Sequence, residues 1–518
     1  MTVDDEDFIV WEIYDFNDFW AELHEYGHAP DDATVLELDG RLKMFIKLCG
    51  RYHTTYLIDA TQLDAALSMM IESDLFRFHY MRMQTVLIDL IIQTTDPHQL
   101  FVAYSLLLKY GQRRIDYFKC PANWRKLLPL SQDIIRHVED GYFGQDDDGT
   151  GLVPIEIRLR YPVVCFLFEI SRAHKLHHQD LQTFDSSFLD HLFDLVEWTR
   201  DEDDDTFNYT LVKLLTSLNE QYMISNIETS VTNPQILQIS NNLVLNVLTR
   251  RLGSSKTFGE NLIFILNRAR NSKEDVCVKL LVLKILFLLF TTVGTQDYFY
   301  TNDLKVVVDV FIRELSDLPD EQEGLRHTYL RVLYPLLNET VVKYCQYKTA
   351  EIHSTLTSLI STRVRDISPT TSRLVRRCLS SDCFDDVDRV NGFVSASEPT
   401  TPNMVALAND FTQPLPNLRA TQSASDLLRT WSPNTSSSNL PMISSDMDVL
   451  RECNTSIDID SPLSAPASTT EIHRTVADFA PSPASSQSSL AAQSVTRRKA
   501  PPPPPPSRLN KPKRLSLS

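Results

Sequence analysis

Fifteen consecutive residues, Val276-Cys-Val-Lys-Leu-Leu-Val-Leu-Lys-Ile-Leu-Phe-Leu-Leu-Phe290, are apolar at all but two positions. A helix built from them is apolar nearly all round, which leaves it two environments, a protein interior or a bilayer. Lys279 and Lys284 decide between the two. Each is unfavourable by roughly 3 kcal/mol at a bilayer centre. The run is therefore expected to be a buried core helix, with no membrane insertion. A helix buried on every side needs other helices around it.

The residues that follow supply them. The stretch Tyr300-Thr301-Asn302-Asp303 predicts a helix start, in which Thr301 or Asn302 caps free N–H groups and Asp303 suits the positive end of the dipole. Leu304, Val307, Val308, Phe311, Leu315 and Leu318 recur at intervals of three and four and share one face, and Pro319 ends the segment. A third segment carries Leu325, Tyr329, Val332, Leu333, Leu336 and Leu337 on one stripe, with Arg326 and Arg331 off it. Three consecutive helices with short breaks predict stacked layers of an α-solenoid.

The pattern extends towards the N-terminus. Phe8, Trp11, Phe16 and Phe19 suit the stripe of a first capping helix, a reading favoured over an acidic-aromatic interaction peptide. Four or five helices are expected over about 35–140, the clearest being Leu75–Ile92, after which Pro97 can start the next. Asp140–Pro154 reads as a turn-rich loop, and Gly253-Ser-Ser as a helix stop. Alternating strand runs are missing, and only 13 glycines in 518 residues fit helices better than a strand-and-turn fold. No exact repeat length emerges, as in a divergent armadillo-like array. After about residue 380 the periodicity fails, and Ser, Thr and Pro dominate. Such a composition buries too little apolar area to offset chain entropy. The expected fold class is all-α: an armadillo-like leucine-rich helical domain over 1–386 and a long disordered Ser/Pro-rich tail over 387–518.

Charge follows the same division. Residues 387–518 hold 12 Lys and Arg against 11 Asp and Glu, about +1, so residues 1–386 hold 38 against 57, or −19, in a chain whose net charge is −18. An acidic domain argues against nucleic acid as a partner, because phosphate binding needs a basic stripe. The eight cysteines form no Cys-x-x-Cys and fit buried thiols in a reducing compartment. The N-terminus has no signal-peptide character.

The strongest local signal is Arg497-Arg-Lys-Ala-Pro501-Pro-Pro-Pro-Pro-Pro506-Ser-Arg508. Consecutive prolines hold a polyproline II helix, which loses little entropy on docking into an aromatic groove. Arg498 or Lys499 with Pro501 and Pro504 fits one SH3-ligand orientation; Pro503, Pro506 and Arg508 fit the other. Profilin or another proline reader, and a passive spacer, are the alternatives. Ser-Pro and Thr-Pro pairs, Ser368-Pro369 and Thr401-Pro402 among them, are potential phosphorylation sites. Asp146-Asp-Asp148-Gly-Thr150-Gly151 fails as a calcium loop, since its twelfth position is Ile157. His174, His177 and His178 lack the companions of a metal site. No phosphate-cradling loop and no nucleophile elbow is present, so no catalytic residue, metal or cofactor is expected, and the chain is not expected to be an enzyme.

The run Tyr298-Phe-Tyr-Thr-Asn-Asp-Leu-Lys-Val-Val-Val-Asp-Val-Phe-Ile-Arg-Glu-Leu-Ser-Asp-Leu-Pro319, with Leu325-Arg-His-Thr-Tyr-Leu-Arg-Val-Leu-Tyr-Pro-Leu-Leu337, resembles the leucine-rich domain of the WISH/DIP family, whose fungal members are the low-dye-binding endocytic regulators. The likeness is concentrated over about 260–345 and extends over about 1–380. It is a whole-segment likeness with no catalytic signature. Arg313, Glu314, Arg326, His327 and Arg331 are the polar positions within it. They either cap and pair neighbouring helices or face a partner.

The resemblance implies a cytoplasmic regulator at cortical actin patches, acting at endocytic sites. It implies binding to the actin-related protein 2/3 complex, activation of that complex without a pre-existing filament, and actin as the polymer seeded. SH3-domain endocytic proteins would recruit the chain through the tail. The alternative is a passive SH3-binding scaffold with no nucleation-promoting activity.

Overall fold

Helix-starting chemistry recurs along the chain. The computed structural model describes residues 11–384, apart from 31, 115, 137–152, 201–204, 233–241, 271 and 362–366. All of these fall within the first of two units, residues 1–435; the second, 436–518, lies outside the described residues. The first layers are α1 (Phe16–Gly27), α2 (Val35–Tyr56), α3 (Ala60–Glu72), α4 (Asp74–Gln93), α5 (Pro97–Arg113), α6 (Asp116–Lys119) and α7 (Leu128–Arg136). Next come α8 (Ile155–Ala173), α9 (His178–Leu181), α10 (Ser186–Trp198), α11 (Thr206–Thr232), α12 (Leu243–Arg250) and α13 (Lys256–Arg268). The last are α14 (Lys273–Thr291), α15 (Thr301–Asp317), α16 (Glu323–Glu339), α17 (Val342–Cys345), α18 (Thr349–Ser361) and α19 (Pro369–Leu379). No strand occurs among the described residues.

Local sequence explains the starts. Thr34 and Glu37 form a capping box on α2, as do Asp59 and Gln62 on α3. Asp96 caps α5 ahead of Pro97, and Ser272 caps α14. The expected cap of α15 is corrected: Tyr300 occupies that position with no side-chain cap, Thr301 is already helical, and Asp303 lies in the first turn. The first helix is shorter than its aromatic stripe. Asp15 caps it, Phe19 is buried, and Trp11 precedes it, donating to the Tyr26 hydroxyl at 2.9 Å. Phe8 lies outside the described residues. Among the described residues of 35–140 there are six α-helices instead of four or five, because α6 is one turn long and too short to display a helical repeat.

Packing follows chain order. α2 lies against α5, α5 against α8, α8 against α11, α11 against α14, α14 against α16, and α16 against α19. α4, α10, α13, α15 and α18 flank this row. Each layer thus rests on the layers next to it, the stacking of an α-solenoid. α14 lies well inside the row, and every residue from Val276 to Phe290 except Lys284 is buried. No helix among the described residues is long and apolar enough to cross a membrane.

Candidate partner-binding segment

The polar residues of 298–337 are positioned by α14 on one side and α19 on the other. Lys279 is buried in α14 and donates to Glu314 of α15 at 2.7 Å; Glu314 is also buried. Arg313, half-exposed, reaches back to the Asn267 side chain at 2.9 Å and its carbonyl at 3.2 Å, and lies 3.3 Å from Glu314. Burial first, and the nearby Glu314 carboxylate second, push the Tyr329 phenol well above its usual range. The other lysine of the apolar run, Lys284, pairs with buried Glu220 of α11. The most apolar helix is thus fastened to two neighbours by charge.

Arg326, off the apolar stripe, is nevertheless buried, 5% exposed, and takes the capping alternative. Its guanidinium donates to the carbonyls of Leu318 at 2.6 Å and Pro319 at 3.2 Å. Those acceptors follow the end of α15, where helical carbonyls lose their partners. His327 is also buried, with Nε2 2.8 Å from the Thr371 hydroxyl of α19. That hydroxyl donates to Glu323 at 3.0 Å, so Nε2–H is the donor to it. Burial lowers the His327 pKa to about 4. Arg331 is half-buried on α16.

The structure therefore gathers Arg313 and Glu314 at the α13–α15 contact and carries Arg326 and His327 inward. The outer surface of the segment holds residues that sequence reasoning passed over. Tyr300 is 60% exposed, and Lys256 of α13 lies 5.1 Å from its ring centre while donating to the Tyr298 carbonyl at 2.7 Å. Their only sequence signal was an aromatic at a helix start. Arg498, Lys499, Pro501, Pro503, Pro504, Pro506 and Arg508 lie outside the described residues. Among the described residues no group of three or more His, Cys, Asp or Glu could hold a metal ion.

A sequence model described as "SPIN90/Ldb17, leucine-rich domain" matches residues 204–352, which span α11 to α18. Protein dip1 of Schizosaccharomyces pombe is 29% identical over 350 residues, covering 64% of this chain and 83% of that protein. The chain is similar to proteins of the WISH/DIP/SPIN90 family. Two further relatives are named Protein LDB17. That of Eremothecium gossypii is 26% identical over 360 residues (66% of this chain, 75% of the relative). That of Saccharomyces cerevisiae is 30% identical over 270 residues (51% and 50%). The SPIN90/Ldb17 match contains both the Lys279–Glu314 pair and the Tyr300 surface.

Proposed function

We propose that this chain is a regulator of actin assembly that binds the actin-related protein 2/3 complex through its helical domain, residues 1–386, and activates it without a pre-existing filament. Similarity to the WISH/DIP/SPIN90 family is the observation that supports this reading. The mechanism is differential binding: a stack of helices that prefers the active arrangement of the two actin-related subunits shifts the population towards it. A layered array suits the task, because its surface spans two bodies with little deformation. The product is a linear seed filament at endocytic sites. The chain supplies no chemistry of its own.

The tail, residues 387–518, carries the recruiting element, with Arg498, Lys499 and Pro501 to Pro506 offered to SH3 domains. Tethering raises local concentration without new contacts at the helices. This proline segment also favours the rival reading, a passive adaptor. Fluorescent actin polymerisation separates them, using purified actin-related protein 2/3 complex, no seeds and no other activator. A lag shortened by residues 1–386 only in the presence of the complex supports activation. An unchanged lag, with SH3 binding retained by the full chain, supports the adaptor.

A further inference from the structure

Six consecutive residues of α4, Arg77-Phe78-His79-Tyr80-Met81-Arg82, are exposed. A helix lying on a core hides part of each turn, so six exposed residues in a row mark a departure from its support. The departure coincides with a kink at His79, where φ is −123° and ψ is 27°. Phe78 and Met81 are 68% and 69% exposed there. Cations frame them. The Arg77 guanidinium lies 5.8 Å from the Phe78 ring centre, and Arg114, just past the end of α5, lies 4.6 Å from that of Tyr80.

Several nearby carboxylates are committed elsewhere. Asp39 of α2 holds Arg82, with Nε to Oδ1 at 2.8 Å. Glu72 holds Arg113 at 2.7 Å, Asp64 holds Lys109, and Asp74 faces His28 at 3.6 Å. Arg77 and Arg114 have no carboxylate within ion-pair distance among the described residues. A basic, apolar patch thus interrupts a region that is acidic as a whole, the chain's net charge of −18 arising entirely within 1–386.

We propose that this patch docks an acidic peptide segment of a protein partner, one in which carboxylates stand beside aromatic or aliphatic residues. Planar guanidinium groups receive carboxylates in bidentate fashion, and a thioether adapts to varied apolar side chains. Charge also selects a peptide over an anionic membrane. A membrane is a broad plane that brings the surrounding carboxylates within a Debye length of about 8–10 Å, where they repel it. A peptide touches the patch alone. The patch belongs to the α2–α5 layers, away from residues 298–337, and stands independently of the function proposed above.

The test is fluorescence anisotropy with the full chain and a fluorescein-labelled peptide, Asp-Glu-Asp-Phe-Leu-Asp-Leu. The expected result is saturable binding, weakened about tenfold or more, about 1.4 kcal/mol, by Phe78→Ser with Met81→Ser and by Arg77→Glu with Arg114→Glu. The substituted groups are on the surface, and circular dichroism checks that each variant keeps its helices. The charge-reversed protein should prefer a peptide with lysines in place of the acids. Absence of binding to the unaltered chain, or equal binding by the variants, overturns the proposal. So does sedimentation with phosphatidylserine vesicles that both variants lose, which assigns the patch to a membrane. Self-association lost in both variants assigns it to a second copy and overturns it equally.

Discussion

Lys279 is a charge in the middle of the most apolar helix, and the Glu314 carboxylate 2.7 Å away makes it tolerable. Removing one partner of such a pair leaves an uncompensated buried charge, which costs far more than the pair itself contributes. Glu314→Ala should lower the unfolding free energy by about 3–5 kcal/mol, while Lys279→Met with Glu314→Leu should be neutral or stabilising. Urea unfolding of the three proteins measures this. A loss below about 1 kcal/mol for Glu314→Ala would remove the buried-pair explanation. The sequence exposed Lys279 and Lys284 as misfits but not their partners, which lie 35 and 64 positions away. The partners of Arg326 were hidden for a related reason. Its acceptors are backbone carbonyls, and these leave no mark in side-chain periodicity.

Neighbouring elements are also joined by histidines. His53 of α2 meets His98 of α5 with Nε2 to Nδ1 at 2.7 Å, and His327 ties α16 to Thr371 of α19. Burial is the main cause that lowers both His53 and His327 to about 4, from an ordinary value of 6.5. With the folded value depressed, the unfolded chain takes up protons first as the pH drops below 6.5. The stability tied to the neutral rings is complete above that pH and is lost progressively towards 4. The melting temperature should therefore fall between pH 7 and 4.5, and His53→Gln with His327→Gln should flatten that fall; a parallel curve for the double variant would rule the histidines out as its source. Long helices were legible because their apolar repeats and caps coincide, as at Asp96-Pro97 and Ser272. The cap of α15 was misplaced by one or two positions because Tyr300 ends the extended chain there without a side-chain cap, and α6 is too short to carry a period.

At the scale of the molecule, the apolar run at 276–290 was the best guide, since a helix buried on all sides requires the layers that surround it. The order of those layers was not legible, because contacts such as α5 on α8 depend on which faces meet after folding. We expect residues 1–386 made alone to melt within about 2 °C of the full chain, since a larger shift corresponds to a contribution from 387–518 of order 1 kcal/mol. Calorimetry of the two proteins decides this. The layer-by-layer packing has one more consequence. When each helix rests on those a few tens of residues away, the chain closes only short loops before each contact forms, and the entropy of closure stays small at every step. Folding can therefore begin at any layer and spread in both directions, and a pulling force applied to the ends should open the array one layer at a time, in a series of small extensions.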